Sequence, residues 1–337
     1  MSVQARTWRA SSRVAVLALA VLIAGAVSLS LGASGLGPGD LWRALTGTAD
    51  PATETILLRL RLPRAVLAAL VGGALGLSGC TLQALLRNPL AEPYVLGVSG
   101  GAAVGAVCVF VSGLAVTLPW TLSLGAFLGA VAAMALVLAI ASRASPGGMD
   151  TRVLILSGVI AGAFFNAIIL LVLSLADLQS FRSAIFWMMG NLSAADWEAA
   201  AVLAVFLVPA SVVVLSLARA FNLLSRGEEV AYYLGASVQR VKLTAYLAAS
   251  LMVAASVAAV GVIGFVGLIV PHAVRLAWGN DHRLLLPASF LAGSAFLLLA
   301  DTVARVVVAP AELPTGVVTA VAGVPFFVVL LMRGGRR

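Results

Sequence analysis

Residues 62–85 read LPRAVLAALVGGALGLSGCTLQAL, a run with a single charge, Arg64, and with glycines at 72, 73, 76 and 79. The hydrocarbon core of a bilayer is crossed by roughly 20 apolar helical residues. The run therefore reads as a membrane-spanning helix whose small residues let a neighbour approach closely. Pro63 suits a first helical turn, where its missing N–H is not needed. Just past the far end stands Asn88-Pro89. Pro89 cannot donate to a helix and disfavours a helical residue before it, so the helix stops there.

The same pattern recurs on both sides. About ten spans are expected, near residues 14–34, 62–85, 94–114, 118–142, 152–175, 198–218, 241–262, 263–276, 284–304 and 314–332. The stretch from Val241 to Leu276 reads as one long bent helix or two short ones, because Gly261, Gly264, Gly267 and Pro271 crowd it. Broken backbone at membrane depth is tolerated only against protein or a water-filled cavity. The expectation is an all-α integral membrane protein, with one transmembrane domain over residues 1–337 and an uncleaved first helix behind a short tail, 1–13.

Composition agrees. Hydrophobic residues make up 62% of the chain and charged residues 10%, and the mean hydropathy is +1.10. Soluble domains carry roughly 25% charged residues, so the apolar side chains must face lipid or each other. The formal net charge of +8 does not indicate nucleic acid, because there is no basic stripe with interleaved aromatics. Cys80 and Cys108 lie in apolar runs and read as small buried hydrophobes. With His272 and His282 they make no metal cage.

The basic residues set an expected orientation. With the N-terminus in the cytoplasm, the inner segments carry Arg6, Arg9, Arg13, Arg87, Arg143, Arg152, Arg219, Arg226, Arg240, Lys242, Arg275, Arg283, Arg333, Arg336 and Arg337. The outer segments carry only Arg43, Arg59, Arg61, Arg64, Arg182 and Arg305. That bias is the positive-inside pattern, and it returns the C-terminus to the cytoplasm.

No G-x-x-x-x-G-K-[ST] occurs, and Lys242 is the only lysine, so a phosphate-cradling loop is missing. No spaced pair of carboxylates sits mid-membrane, which argues against a proton-coupled carrier. Asp301 stands one helical turn before Arg305, the spacing of a local ion pair. Energy for active transport would then come from another subunit. The chain reads as no enzyme, with ATP and Mg²⁺ bound by partners.

Several long motifs, in order, carry a resemblance: Arg61-Leu-Pro-Arg64; Gly72-Gly-Ala-Leu-Gly-Leu-Ser-Gly79; Gln83-Ala-Leu-Leu-Arg-Asn-Pro-Leu-Ala-Glu-Pro93; Leu96-Gly-Val-Ser-Gly-Gly101; Gly261-Val-Ile-Gly-Phe-Val-Gly-Leu-Ile-Val-Pro-His-Ala-Val-Arg275; Asp281-His-Arg283; Ala300-Asp-Thr-Val-Ala-Arg305; and Glu312-Leu-Pro-Thr-Gly316. From about residue 55 to 332 the chain resembles the FecCD family, the permeases of type II ATP-binding-cassette importers for iron–siderophores, heme and vitamin B12.

The resemblance implies ten helices per subunit and a dimer of permeases, here a homodimer, with the pathway between the two copies. It also implies two cytoplasmic ATPases and an external substrate-binding protein as partners. An iron(III)–siderophore complex is the expected cargo, with cobalamin or heme as the alternative and a stand-alone secondary carrier as a distant one. Arg61, Arg64 and Arg305 match positions that meet glutamates of the binding protein. The stretch 223–241, with Gly227, Glu228, Glu229, Ala231, Leu234, Gly235 and Val238, resembles the segment that seats on the ATPase. A short amphipathic helix there would stack Val230, Leu234 and Val238 at four-residue spacing. Asp150 and Thr151 fall where the family has a narrow cytoplasmic gate, while a helix cap explains Asp150 equally well. Gln83 and Asn166 are polar residues within apolar spans, each facing the pathway or hydrogen-bonding a neighbouring helix.

Overall fold

A computed structural model describes residues 3–32, 37–145 and 148–334. The side chains of Arg6, Arg9 and Arg333, and the residues Arg336 and Arg337, lie outside what is described, so they add nothing to the orientation expected from charge.

Among the described residues ten apolar helices make up the bundle, with shorter helices between them: α1 Val3–Ser30, α2 Leu62–Leu85, α3 Val98–Val111, α4 Trp120–Ala144, α5 Thr151–Ser174, α6 Trp197–Ser216, α7 Val238–Val260, α8 Val266–Trp278, α9 His282–Val306 and α10 Thr315–Gly334. No strand occurs among the described residues. Seven of the ten are long and apolar enough to cross a membrane, while α3, α8 and the Thr315–Val329 part of α10 are shorter apolar stretches. At 1.5 Å per residue, the 14 residues of α3 and the 13 of α8 fall short of a hydrocarbon core of roughly 30 Å. Both begin inside the bundle, where the backbone is broken. The region 241–276 is thus two helices, α7 and α8, and not one bent rod.

The helix that opened the sequence reading is the hub. α2 packs along α9, α7 and α8, and 83% of its most apolar stretch is buried. Its glycines set the distance. A Cβ on Gly72 would run into the carbonyl oxygen of Gly293 on α9, and one on Gly293 into that of Gly72; a Cβ on Gly79 would strike the carbonyl of Gly267 on α8. Backbone therefore lies on backbone, the contact that small residues permit in a membrane. In contrast, α5 and α6 keep open apolar faces, with Leu156, Val159, Phe164 and Leu171 exposed on α5 and Val205, Val208 and Val212 on α6. Cys80 is buried as expected, but Cys108 is exposed. In a helix as uniformly apolar as α3, periodicity does not tell the inner face from the outer one.

Helix α2 also begins earlier than Pro63 suggested. Helical backbone runs unbroken from Pro51, and residues Thr55–Arg61 form a π-helical stretch. A proline ring inside an α-helix clashes with the carbonyl four residues back. The wider π turn relieves that crowding: the N–H of Leu62, just before Pro63, bonds five residues back to the carbonyl of Leu57.

Between α7 and α8 the chain unwinds at Gly261–Phe265, with φ of +74° at Gly261 and +68° at Phe265. The freed backbone groups are filled by protein. Glu92 accepts from the Phe265 N–H at 2.7 Å. The Tyr94 hydroxyl donates to the Ile263 carbonyl at 2.8 Å and accepts from its N–H at 3.1 Å. The Val260 carbonyl accepts from Asn191 N–H at 2.9 Å. Unwound backbone at depth requires such partners.

Candidate functional site

Polar chemistry gathers at the two ends of the bundle. At one end, Asp301 of α9 is buried and receives Arg64 through two nitrogens, Nε at 3.0 Å and Nη2 at 2.9 Å. The Thr315 hydroxyl donates to it at 3.1 Å, and Arg305 Nε stands 3.2 Å away, the local pair that the i,i+4 spacing predicted. Arg64 also reaches Glu312 at 2.9 Å. Arg305 donates onward to the Ser28 carbonyl at 2.9 Å and the Leu31 carbonyl at 3.2 Å, and Arg61 donates to the Leu29 carbonyl. These carbonyls lie at the end of α1 and just past it, where no helical partner follows. Two guanidinium groups thus cap the negative end of α1.

Arg61, Arg64 and Arg305, the residues matched to the binding-protein face, are thus engaged within the chain itself. Arg61 and Arg305 are each 8% exposed, and the Arg64 side chain 11%. A charge withdrawn from water needs partners, and all three find them in helices far away in sequence. Arg59, in the same helical run, stays exposed.

At the other end, Asp150 caps α5, accepting from the N–H of Arg152 at 2.7 Å. Thr151 opens that helix. Beside them lies the segment between α6 and α7. It is not one amphipathic helix but a short one, Glu228–Tyr233, bounded by Gly227 with φ +121° and Gly235 with φ +85°. That turn separates Val230 and Leu234, which are exposed, from Val238, which is buried in α7. Ala231 is fully buried and anchors the short helix. Tyr232, Tyr233 and Leu234 project outward, at 69%, 84% and 63% exposure. Next to them a groove of about 580 Å³ is lined by Glu228, Glu229, Tyr232, Tyr233, Ser237, Val238, Gln239 and Arg240.

Gln83 and Asn166 part company. Asn166 is exposed on the open face of α5. Gln83 is buried at 3%, donates to the Gly267 carbonyl at 3.3 Å and accepts from Arg275 at 3.0 Å. It thus takes the helix-to-helix role of the two that the sequence left open. Glu92, inside the Gln83–Pro93 motif, and Tyr94, just past it, hold the unwound segment; a carboxylate and a phenol flanking Pro93 in an apolar stretch are the sequence signal for that role.

Comparison with known proteins adds the following. The model of the FecCD transport family matches residues 19–333. The hemin transport system permease protein HmuU of Yersinia pestis is 40% identical over 94% of this chain and 96% of its own length. The cobalamin import system permease protein BtuC of Halobacterium salinarum is 42% identical over 96% of this chain and 89% of its own. A solved ABC transporter assigned to the metal-chelate type, in an inward-facing conformation, superposes with a TM-score of 0.85 at 32% identity, over 95% of this chain and 98% of that one.

Proposed function

The chain belongs to the FecCD transport family, and from that premise we propose that it carries a bulky metal chelate across the cytoplasmic membrane, driven by ATPases that it does not itself contain. It is a multi-pass ABC importer permease.

The observation that carries the reading is the knob formed by Tyr232, Tyr233 and Leu234. Large side chains so exposed on a short helix beyond the spans mark a surface that another protein covers. With Glu228 and Glu229 beside it, the segment 223–241 suits a groove on a cytoplasmic ATPase. The N-terminus and this segment then lie in the cytoplasm and the Arg64 end outside. A second copy covers the open face of α5, where Asn166 is left as the candidate for the pathway wall. The gate falls at Asp150 and Thr151, in addition to the cap that Asp150 makes. A binding protein delivers cargo to the outer end and supplies most of the selectivity.

An iron(III)–siderophore complex is the first choice of cargo, as the broadest class within the family. Hemin and cobalamin form the second reading, favoured by the two relatives named above. Titrating the cognate binding protein with ferric siderophores, hemin and cobalamin decides among them, and tight binding of cobalamin alone overturns the choice of iron. Uptake into liposomes by the purified chain, with neither ATPase nor nucleotide, would instead indicate a secondary carrier.

A further inference from the structure

The first turn of α7 holds the entry to α5 by a single residue. Met149 stands immediately before the Asp150 cap, and both of its backbone polar groups are taken by α7 side chains. Its N–H donates to Gln239 Oε1 at 2.7 Å, and its carbonyl accepts from Lys242 Nζ at 2.8 Å. The same ammonium meets Glu228 Oε2 at 2.6 Å, at the start of the exposed Glu228–Tyr233 helix. Lys242 is 2% exposed and is the only lysine in the chain. Gly148 completes the fit: its φ is +128°, and a Cβ there would collide with the Gln239 amide.

The energetics favour rigid transmission. An ammonium withdrawn from water loses its hydration and must keep its partners. Pulling the 228–233 helix away from α5 would strand Lys242 with one partner or the other. Charge-assisted hydrogen bonds are also short and directional. Glu228, Lys242, Met149 and Asp150 therefore move together more easily than they separate, and Asp150 is tied to the N–H groups of α5.

We infer that Lys242 and Gln239 are the positioning residues through which displacement of the Glu228–Tyr233 helix reaches the first turn of α5. This rests on the reading of that helix as the ATPase-facing element. It adds which side chains carry the motion and where they grip. A fold-only staple would hold α5 in place without making its first turn respond to nucleotide, and that difference is measurable.

The test uses the full permease assembled with its ATPases in nanodiscs, carrying Thr151→Cys in a Cys80→Ala, Cys108→Ala background. The rate of reaction with a water-soluble maleimide is compared between the nucleotide-free complex and the complex trapped with Mg-ATP and vanadate, at matched amounts of trapped nucleotide. The parent rate should change by roughly threefold or more between the two states. Lys242→Met with Gln239→Leu should bring the two rates together. Lys242→Arg with Gln239→Glu, which keep a donor and an acceptor for Met149, should restore the difference. Gln239 is exposed, so Gln239→Leu alone carries the test, with a reduced response expected, if the double variant does not assemble. A full nucleotide response in the disrupted variants overturns the clamp and leaves the importer reading intact. A parent complex that traps nucleotide yet shows no change at Thr151→Cys removes both the link between the segment and α5 and the clamp. A chain that assembles with no ATPase sinks the importer reading itself.

Discussion

Gln83 on α2 donates to the carbonyl of Gly267 on α8, the acceptor that Pro271, four residues on, cannot serve. Proline has no N–H and leaves the carbonyl four residues back without its helical partner. In a membrane that orphan must be filled from elsewhere. The Pro271-His272 pair therefore does not end α8, which continues to Trp278. A buried side chain on the neighbouring helix repairs the break and also receives Arg275.

Gln83→Leu should accordingly cost about 1–3 kcal/mol, the penalty for leaving a buried polar group unsatisfied. Restoring the missing donor with Pro271→Ala should lower that cost, because residue 271 can then serve Gly267 itself. Part of the loss should remain, since Arg275 still lacks its acceptor. Melting temperatures of the two single variants and the double variant in detergent measure the coupling. Strictly additive shifts would show that Gln83 is not compensating for Pro271.

Asp301 should be the least replaceable carboxylate among the described residues. It is fully buried and balances Arg64 and Arg305 together, while Thr315 ties it to α10. Removing one partner of a buried ion pair typically costs about 3–5 kcal/mol, because the other charge is stranded. Asp301→Ala should thus lower folded yield and thermal stability sharply. Arg64→Met with Asp301→Leu, which removes the principal charges from both sides, should be better tolerated than Asp301→Ala. A double variant that melts no higher than the single one would count against this account.

The spans were legible because a bilayer imposes one simple demand, length without charge, and each of the ten runs expected from sequence overlaps an apolar helix. The Asp150 cap and the Asp301–Arg305 pair were legible for a related reason, since both partners lie within one helical turn. The destinations of Arg61 and Arg305 were not. Their acceptors are carbonyls at the end of α1, and backbone atoms leave no mark in the identity of Ser28, Leu29 or Leu31. The division of the 223–241 segment was hidden differently. Four-residue spacing of Val230, Leu234 and Val238 fits one helix, but Gly235 reverses the chain within that spacing. Helical periodicity reports a face only while the helix lasts.

Acid should loosen the helix Leu178–Met188 before the bundle. Asp177 caps it, accepting from the N–H of Gln179 at 2.9 Å and of Ser180 at 3.0 Å. Hydrogen bonds from Ser180, side chain first and then backbone, hold its carboxyl below the ordinary 3.8. A depressed folded pKa means that the contribution is complete above the unfolded value and disappears as pH falls through the folded one. Hydrogen-exchange protection at Gln179 and Ser180, corrected for the intrinsic rate, should therefore be flat above about pH 5 and fall below the ordinary carboxylate range. Asp177→Asn should abolish that pH dependence. The same acid-induced loss in Asp177→Asn would assign the effect to another group.

Docking at the Arg64 end should depend on an exposed arginine, Arg59, and not on those that are held. Arg59 is exposed, whereas Arg61, Arg64 and Arg305 already serve α1, Asp301 and Glu312. Arg64→Glu would set a carboxylate against Asp301 and should show first as a loss of folded protein. Arg59→Glu should leave melting unchanged and weaken association with the binding protein several-fold at low salt, an effect that fades as salt rises because exposed pairs are individually weak and screened. Surface plasmon resonance on nanodisc-embedded permease separates the two cases. A folded Arg64→Glu permease that no longer binds its partner, beside an Arg59→Glu permease that binds normally, would mean that the buried arginines turn outward on docking, and the internal pairing would then describe only the undocked chain.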